Sequence, residues 1–488
     1  MDLKKFRSAG REVIEFIANY HDYLSLLPVT PIVDPGYMRK LVPEDPPNKG
    51  EDWDRIMQDL QSVILPGMTH WLHPNFYGYF PSGFSYESLL GDFLSEGAPS
   101  IGFSWISSPA LTELEAIILD WLGDMIGLPE DFLTFPKDSQ GGAALQNSCS
   151  DANFLCILIA RTDKVLKISE EKSEPVSAKL ATNLVVYCSK ESRAFVERVA
   201  RLALVQLRIL DTNDKYQLTG ELLERAIKDD LKEDLTPFFV VATLGTYSCT
   251  SCDALSELGP VCKKYDVWLH VDAAYAGNAL VLKEYRHLLE GIEYASSFSM
   301  DPAMWLPNIT EGTAMWIRDK QKMSQCFVVD PLYLHHQHDE NKSAIDYRHW
   351  SIHLSRRFRA LKYWFVMRLF GKVELRNFIR NHIDLAKYFE TLLKNDSRFE
   401  VLNKVEFGLV CFRFKGSDIL NITLLRQINS TKKLFLTNVT LGNHYVIRFC
   451  VCYPKATKKE IDHAFDIIRE TADEVLDLVF NHFNQIVT

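Results

Sequence analysis

The sequence predicts an α/β fold in which helices cover a mostly parallel central sheet. Three short runs rich in apolar and β-branched residues, 182–188, 237–243 and 267–271, have the composition of buried strands. Stretches with helical spacing of apolar residues separate them, and this alternation is typical of parallel sheets buried on both faces. With 488 residues, 47% of them hydrophobic, the chain can bury a large core and form two or three domains.

The elements in chain order suggest a three-part organisation. Apolar spacing predicts helices over 2–24, 52–65 and 111–128, a long helix around 359–371 and a closing helix after 458, with further strands near 406–415 and 445–452. We therefore expect an N-terminal helical and extended segment (1–85), a large α/β domain (86–360) and a C-terminal α+β domain (361–488).

Composition argues against several classes of function. The formal net charge is −10, which disfavours nucleic acid or an acidic membrane as partner. No uncharged run reaches the ~18–20 residues of a membrane span, and the first residues lack an apolar leader, so we expect a cytosolic protein. We predict no metal site, because Cys249-x-x-Cys252 has no second pair and His335, His336 and His338 lie in a polar segment without a partner acid.

Two motifs indicate a cofactor site. The run Val267–Val271 leads directly into Asp272, and a carboxylate at the tip of a buried strand is a common part of a site in an α/β sheet. The letters VDAAYAG (Val271–Gly277) are followed about thirty residues later by Asp301-Pro-Ala-Met-Trp305. This pair resembles the aromatic-L-amino-acid decarboxylases, group II pyridoxal-phosphate decarboxylases whose second motif is N-P-H-K-W. Further matches are Gly102–Trp105, Asp346–Trp350, Arg356–Arg359 and Gly408–Arg413.

The resemblance implies the fold type I pyridoxal-phosphate enzyme fold, a homodimer and a role for each matching residue. Asp272 corresponds to the acid that keeps the pyridine nitrogen protonated, and Tyr333 to the loop tyrosine thought to protonate the reacting carbon. Ala274 and the serine-rich turn Ser148-Cys149-Ser150 correspond to cofactor-binding positions, the turn at a predicted helix N-terminus that favours the phosphate. The implied pocket for an aromatic substrate comprises Trp71, Tyr79, Phe80, Pro81, Ile101 and Phe103.

The departures from the family pattern converge on one pocket. Met304 stands where the family has the lysine that forms the imine, and a thioether cannot form one. Asp301 and Ala303 replace the asparagine and histidine near the phosphate. The family's stacking histidine is Arg193 here, and a small hydroxyl residue that touches the cofactor is Tyr247.

A glycine of the phosphate turn is replaced as well. Asn147 stands in its place, and we expect it to disfavour the family's turn. We also expect Arg193 or Tyr247 to fill the volume of the cofactor ring, with Arg193 within salt-bridge reach of Asp272 or Asp301.

These departures favour a catalytically silent homologue. Pyridoxal phosphate is expected to be absent or only weakly and non-covalently bound, and an aromatic amino acid is the ancestral ligand. The protein would act as a homodimer, or in a heterodimer with an active family member. Two alternatives remain open: a carboxy-lyase or aldehyde synthase for aromatic amino acids that uses non-covalent cofactor or Lys190, and a small-ligand binder that uses the aromatic pocket and Arg193.

Overall fold

The computed structural model describes residues 1–192, 194–328 and 344–487. Its helices are α1 (Leu3–Tyr23), α2 (Trp53–Asp59), α3 (Tyr86–Gly97), α4 (Pro109–Ile126), α5 (Cys149–Lys172), α6 (Phe195–Leu202), α7 (Gly220–Lys232), α8 (Leu255–Lys264), α9 (Lys320–Phe327), α10 (Ala360–Asn395), α11 (Asp418–Ser430) and α12 (Lys458–Val487). Its strands are β1 (Gly142–Gln146), β2 (Leu184–Ser189), β3 (Gln206–Leu210), β4 (Thr236–Thr243), β5 (Trp268–Asp272), β6 (Ser297–Met300), β7 (Thr313–Ile317), β8 (Phe399–Val401), β9 (Leu409–Phe414), β10 (Thr437–Leu441) and β11 (His444–Cys450).

The larger sheet has seven strands in the order β1-β7-β6-β5-β4-β2-β3. The pairs β6/β5, β5/β4, β4/β2 and β2/β3 are parallel, whereas β7 runs antiparallel to both β6 and β1. Because β7 opposes both of its neighbours, β1 points in the same direction as β6. The predicted mostly parallel sheet is confirmed, and every parallel-running strand ends at one common edge.

Helix α5 packs across this sheet and forms much of its core. Leu155 and Ile159 from α5 are buried in one cluster with Val186 of β2 and Val241 of β4. β2, β4 and β5 are buried along almost their whole length because helices cover the sheet, and removal of their apolar side chains from water stabilises the fold.

The sequence also specifies where helices end. α4 stops at Gly127, whose φ of 85° is a left-handed conformation that glycine adopts without a Cβ penalty. Within α10, Gly371 has φ 66° and ψ 173°, which places a kink in the helix. These breaks follow from glycine at positions that need an unusual backbone.

Two glycines lie at the start of β1. Gly141 precedes the strand, and Gly142 is the first residue of Gly142–Gln146. The glycines are needed for close packing: a Cβ on Gly141 would lie 2.6 Å from the carbonyl oxygen of Asp131, and one on Gly142 would lie 3.0 Å from the ring of Trp350. The strands predicted around 182–188, 237–243, 267–271, 406–415 and 445–452 correspond to β2, β4, β5, β9 and β11.

The chain divides into two compact units. One comprises residues 1–81, 385–402 and 410–488, and the other comprises 82–384 and 403–409. A second sheet has the order β10-β11-β9-β8. Across the described residues, no helix is both long and apolar enough to cross a membrane.

Candidate functional site

The predicted site residues of the larger unit follow the carboxyl ends of its strands. Residues 147–150 follow β1, 190–192 follow β2, 247 follows β4, 272–274 stand at the end of β5, and 301–304 follow β6. Because these strands point the same way, the segments meet at one edge of the sheet. Open α/β sheets bind their ligands at this edge.

Asp272 ends β5 and is only 1% exposed. Its Oδ1 accepts the backbone N–H of Ala274 at 3.1 Å. Thr243 of β4 and Ser299 of β6 are its register partners on the two neighbouring strands. The strand thus delivers a buried carboxylate at a fixed place on the carboxyl edge.

A ladder of buried polar groups runs along β5 and β6 below Asp272. The indole Nε1 of Trp268 donates to Ser297 Oγ at 2.8 Å, and this hydroxyl lies 2.8 Å from Nδ1 of His270. On the other side of the ring, Nε2 of His270 lies 3.3 Å from Ser299 Oγ, so both ring nitrogens have a serine hydroxyl as partner. Burial lowers the pKa of His270 to about 3, so the ring is neutral and its tautomer is set by these neighbours.

Met304 closes a short helical turn, Pro302–Met304, directly after β6. Asp301 caps this turn, since its Oδ1 accepts the N–H of Ala303 at 3.1 Å. The backbone is tied to the segment after β5, because Asp301 N–H donates to the carbonyl of Ala274 at 3.1 Å and the amide of Asn278 donates to the carbonyl of Asp301 at 2.9 Å. Met304 is half-buried and Ala303 is buried. The turn therefore holds positions 301–304 beside Asp272.

The N-terminus of α5 lies at the same edge. Ser148 caps the helix, with its Oγ accepting the N–H of Asp151 at 3.2 Å, and Ser150 is half-buried in the first turn. The thiol of Cys149 donates to Asp301 Oδ2 at 3.5 Å and lies 3.6 Å from Thr313 Oγ1. The structure therefore brings the predicted phosphate turn and Asp301 into direct contact.

Asn147 is accommodated at this turn without a left-handed backbone. It is absent from the described non-glycine residues with positive φ, so this position does not require glycine. Its side-chain Oδ1 accepts a hydrogen bond from Nη2 of Arg359. Asn147 thus fits this turn without a strained backbone, and its effect on the family's turn stays a prediction.

The segments after β2 and β4 are linked to each other. Ser192 Oγ lies 3.2 Å from Thr243 Oγ1, and Ser248 Oγ donates to Glu191 Oε2 at 2.6 Å. Tyr247 is half-buried in the turn after β4. Arg193 lies outside the described residues, so its predicted position beside Asp272 or Asp301 stays a prediction.

The sequence analysis assigned no site role to three residues around the start of α10. Besides Arg359, these are Tyr363, whose hydroxyl donates to the carbonyl of Gly312, and Lys362, whose Nζ donates to the carbonyls of Thr310 and Glu311. Burial raises the pKa of Tyr363, and the charge of Asp301 raises it further. Burial lowers the pKa of Lys362 to about 8. These three residues anchor the segments on either side of the site, and only the Arg356–Arg359 motif gave a sequence signal for any of them.

The predicted aromatic pocket residues lie in both units. Trp71 stacks on Tyr79 with ring centroids 5.1 Å apart, while Phe80 and Pro81 are buried. Ile101 is exposed and Phe103 is half-buried, with its carbonyl accepting the N–H of Arg348 at 2.9 Å. Tyr333 and the three histidines at 335, 336 and 338 lie outside the described residues.

Two other predicted features can be placed. Cys249 and Cys252 are free thiols. In the described part of the chain, no group of three or more His, Cys, Asp or Glu side chains could hold a metal ion.

Lys190, the alternative lysine, is 48% exposed, and its Nζ lies 3.4 Å from the carboxylate of Asp211, which is 82% exposed. Its amine therefore participates in a surface ion pair.

Comparison with known proteins gives a consistent result. The profile of the pyridoxal-dependent decarboxylase conserved domain matches residues 35–415. The chain is 42% identical over 476 residues to aromatic-L-amino-acid decarboxylase of Rattus norvegicus, covering 98% of this chain and 99% of the relative. It is 43% identical over 477 residues to histidine decarboxylase of Drosophila melanogaster, covering 98% of this chain and 56% of that protein.

Solved structures agree with the fold. Oryza sativa TDC with PLP and tryptamine matches with a TM-score of 0.93 and 32% identity, covering 97% of this chain and 99% of the other. Catharanthus roseus tryptophan decarboxylase in complex with L-tryptophan matches with a TM-score of 0.89 and 34% identity over the same shares. The fold expected from the sequence is thereby confirmed.

Proposed function

Because the chain belongs to the pyridoxal-dependent decarboxylase family, we propose that it is a member that keeps the decarboxylase fold and has lost the covalent chemistry. The observation that carries this proposal is Met304. It occupies the position that the family motif gives to the imine lysine, in a half-buried turn at the carboxyl edge of the sheet. A thioether has no amine to attack a carbonyl carbon, so the cofactor cannot be tethered there.

The residues around Met304 do not fit the phosphorylated cofactor either. Asp301 places a carboxylate at the N-terminus of α5, 3.5 Å from the thiol of Cys149. A carboxylate ~4 Å from a phosphate costs roughly 4 kcal/mol per phosphate charge at an effective dielectric of ~20. The hydroxyls of Ser148 and Ser150 would return only about 1 kcal/mol each. Repulsion therefore outweighs the surviving donors.

The retained Asp272 supports descent from a catalytic protein. Its carboxylate, its strand and the ladder through His270 remain buried and ordered at the carboxyl edge. We propose that this scaffold is kept because the protein acts by binding, as a cytosolic homodimer or as the partner of an active family member. An aromatic amino acid is the ligand class that its relatives suggest.

A turnover assay tests the proposal. Purified protein is incubated with pyridoxal phosphate in excess and with dopa, tyrosine, tryptophan or histidine, and released carbon dioxide is measured against a protein-free blank. We expect no release above the blank. Release that scales with protein concentration would show that the chain is an active carboxy-lyase.

Residual catalysis on aromatic amino acids is the second candidate. A relative with 32% identity and a TM-score of 0.89 is Rhodiola rosea 4-hydroxyphenylacetaldehyde synthase, so aldehyde formation occurs on this fold. The ion pair of Lys190 with Asp211 weighs against Lys190 as a substitute tether. Hydrogen peroxide and aldehyde assays with the same substrates distinguish this candidate from a silent protein.

Ligand binding without catalysis is tested by thermal shift. A ligand present at 100-fold over its Kd adds ~2.7 kcal/mol of stability. Aromatic amino acids and their amines that raise the melting temperature would identify the ligand class. Phosphate esters are expected to give no such shift.

A further inference from the structure

The N-terminus of α5 is where this fold offers backbone N–H groups to an anion. α5 is 24 residues long and begins at the carboxyl edge of the sheet, so its dipole and the N–H groups of its first turn face the site. In this chain the side chains at the start of the helix have internal partners. Ser148 caps the helix through Asp151, Asn147 binds Arg359, and the thiol of Cys149 donates to Asp301.

The carboxylate of Asp301 is held at this helix end from two sides. Its Oδ1 accepts the N–H of Ala303 at 3.1 Å, and its Oδ2 accepts the thiol of Cys149 at 3.5 Å. The backbone of Asp301 is fixed as well, through Ala274 and through the buried side chain of Asn278. A carboxylate anchored at both oxygens and at the main chain has little freedom to move aside for an incoming ligand.

The side chains near Asp301 accommodate the single negative charge of its carboxylate. Tyr363 is buried, and burial together with the charge of Asp301 raises the pKa of its phenol, so it stays neutral at physiological pH. Thr313 places a hydroxyl 3.6 Å from the Cys149 thiol. A single anion beside the positive end of a helix is stabilised, whereas a second anion in the same space would be repelled by the first.

We propose that Asp301 is the resident anion of the α5 N-terminus and makes the site select against phosphorylated ligands. The protein carboxylate takes the electrostatic role that a bound phosphate would have at a helix start. The site then accepts ligands of the same ring class that lack a phosphate. This inference rests on the proposed binding function and names the chemical class that the site excludes.

The test measures binding of inorganic phosphate by calorimetry to the wild-type chain and to Asp301→Asn. The asparagine keeps an oxygen that can cap Ala303 and removes the charge. We expect Asp301→Asn to bind phosphate about a hundredfold more tightly than the wild type, as removal of one close repulsion implies. Equal affinities, or no binding by either protein, would overturn the proposal.

The matched control is Asp319→Asn. Asp319 caps α9 in the same way, with Oδ1 accepting an N–H two residues on, that of Gln321 at 3.0 Å. This variant should bind phosphate no better than the wild type. A gain equal to that of Asp301→Asn would show that lowering the net charge of the protein, and not the position, is responsible, and would also overturn the proposal.

A second variant and a comparison of two ligands test the same effect of Asp301. If Asp301→Asn does not fold, Asp301→Ser retains a capping oxygen without charge and carries the same expectation. In the wild-type chain, pyridoxal should bind at least as tightly as pyridoxal 5'-phosphate, and about tenfold tighter binding of the phosphorylated form would contradict the proposal. Binding of inorganic phosphate involves neither an imine nor turnover, so this readout can fail while the silent-homologue proposal stands, and the reverse holds too.

Discussion

Met304 is the residue on which the proposed loss of the family's chemistry depends. Its turn is fixed by hydrogen bonds of Asp301 to Ala303 and to Ala274, and the following Trp305 stacks on Tyr275 at 4.5 Å between ring centroids. The backbone at position 304 is therefore as ordered as a tethering residue needs. The methionine side chain is apolar and flexible, and it fills such a place without a charge to solvate.

Restoring the lysine alone is expected to fail. Met304→Lys supplies an amine, but Asp301 still places its charge at the α5 N-terminus, so pyridoxal phosphate remains excluded. Carbon dioxide release from dopa should stay at the wild-type level, and borohydride should fix no cofactor on the variant.

The double variant Met304→Lys with Asp301→Asn is the matched comparison. We expect it to bind pyridoxal phosphate about a hundredfold more tightly than Met304→Lys. Full recovery by Met304→Lys alone would show that the charge at position 301 has no influence on the site.

Acid stability should report on His270. Its pKa is lowered from 6.5 to about 3 by burial, so the unfolded chain takes up a proton that the folded chain does not. The stabilising contribution is present above pH 6.5 and is lost as the pH falls toward 3. From pH 7 to pH 5 this histidine alone should reduce the free energy of unfolding by about 2 kcal/mol.

Urea unfolding of His270→Asn at both pH values checks this prediction. The variant should lose about 2 kcal/mol less than the wild type over the same interval. His287→Asn, at an exposed histidine, is the control and should behave as the wild type does. An unchanged pH dependence in His270→Asn would show that the ring is not held neutral.

At the scale of elements, the sequence predicted the strands of apolar and β-branched composition but did not predict several others. β2, β4 and β5 are rich in apolar or β-branched residues, and their composition marks them. β6, with the letters SFSM, and β1, with GAALQ, carry polar or glycine residues and gave no such signal. These strands are buried because neighbouring strands and helices cover them, which depends on residues distant in the sequence.

Contacts between residues that are distant in the sequence also explain which features of the site the motifs did not predict. The motifs gave Asp272, Met304, Asp301 and the α5 turn by their letters. The contacts of Asn147 with Arg359 and of Cys149 with Asp301 join residues about 150 to 210 positions apart, and no local pattern encodes them. The roles assigned to these residues, and the three-part domain division, stay predictions.

A buried ion pair should stabilise the junction of α4 with β1. Arg356 pairs with Glu115, and the two side chains are 2% and 1% exposed. Glu115 also accepts the N–H of Leu145 at 2.8 Å, while Arg356 donates to the carbonyl of Leu145 at 3.1 Å. Removing the acid by Glu115→Ala leaves a buried cation and should cost about 3–5 kcal/mol.

A variant in an exposed ion pair, compared by chemical denaturation of the protein, provides the control. Lys372 and Asp124 lie 2.8 Å apart with side chains 56% and 67% exposed, and Asp124→Ala should cost at most about 1 kcal/mol. Similar losses in Glu115→Ala and Asp124→Ala would mean that burial of the first pair does not matter.

At the scale of the whole molecule, α1 presents apolar side chains to solvent in the single chain. Leu3, Phe6 and Ile14 are 64%, 62% and 53% exposed and lie within an arc of about 80° on the helix. An apolar helix face of this kind is suited to burial against another chain. This surface supports the proposed homodimer.

Sedimentation measures the oligomeric state of the protein directly. The wild-type chain of 56.1 kDa should sediment as a dimer, and Phe6→Glu with Ile14→Glu should shift the population toward monomer. Substitution of Lys4 and Glu15 by glutamine, both exposed on the same helix, should leave the dimer intact. A wild-type protein that is monomeric at all concentrations would contradict the proposal.

Borohydride treatment measures whether the protein tethers pyridoxal phosphate through a lysine. The purified wild-type chain is mixed with pyridoxal phosphate, reduced with borohydride, digested and examined by mass spectrometry for a lysine that carries the reduced cofactor. We predict that no specific lysine is labelled and that no visible absorbance of a protein-bound imine forms. Stoichiometric labelling of one lysine, with absorbance that bleaches on reduction, would show that the chain does tether the cofactor.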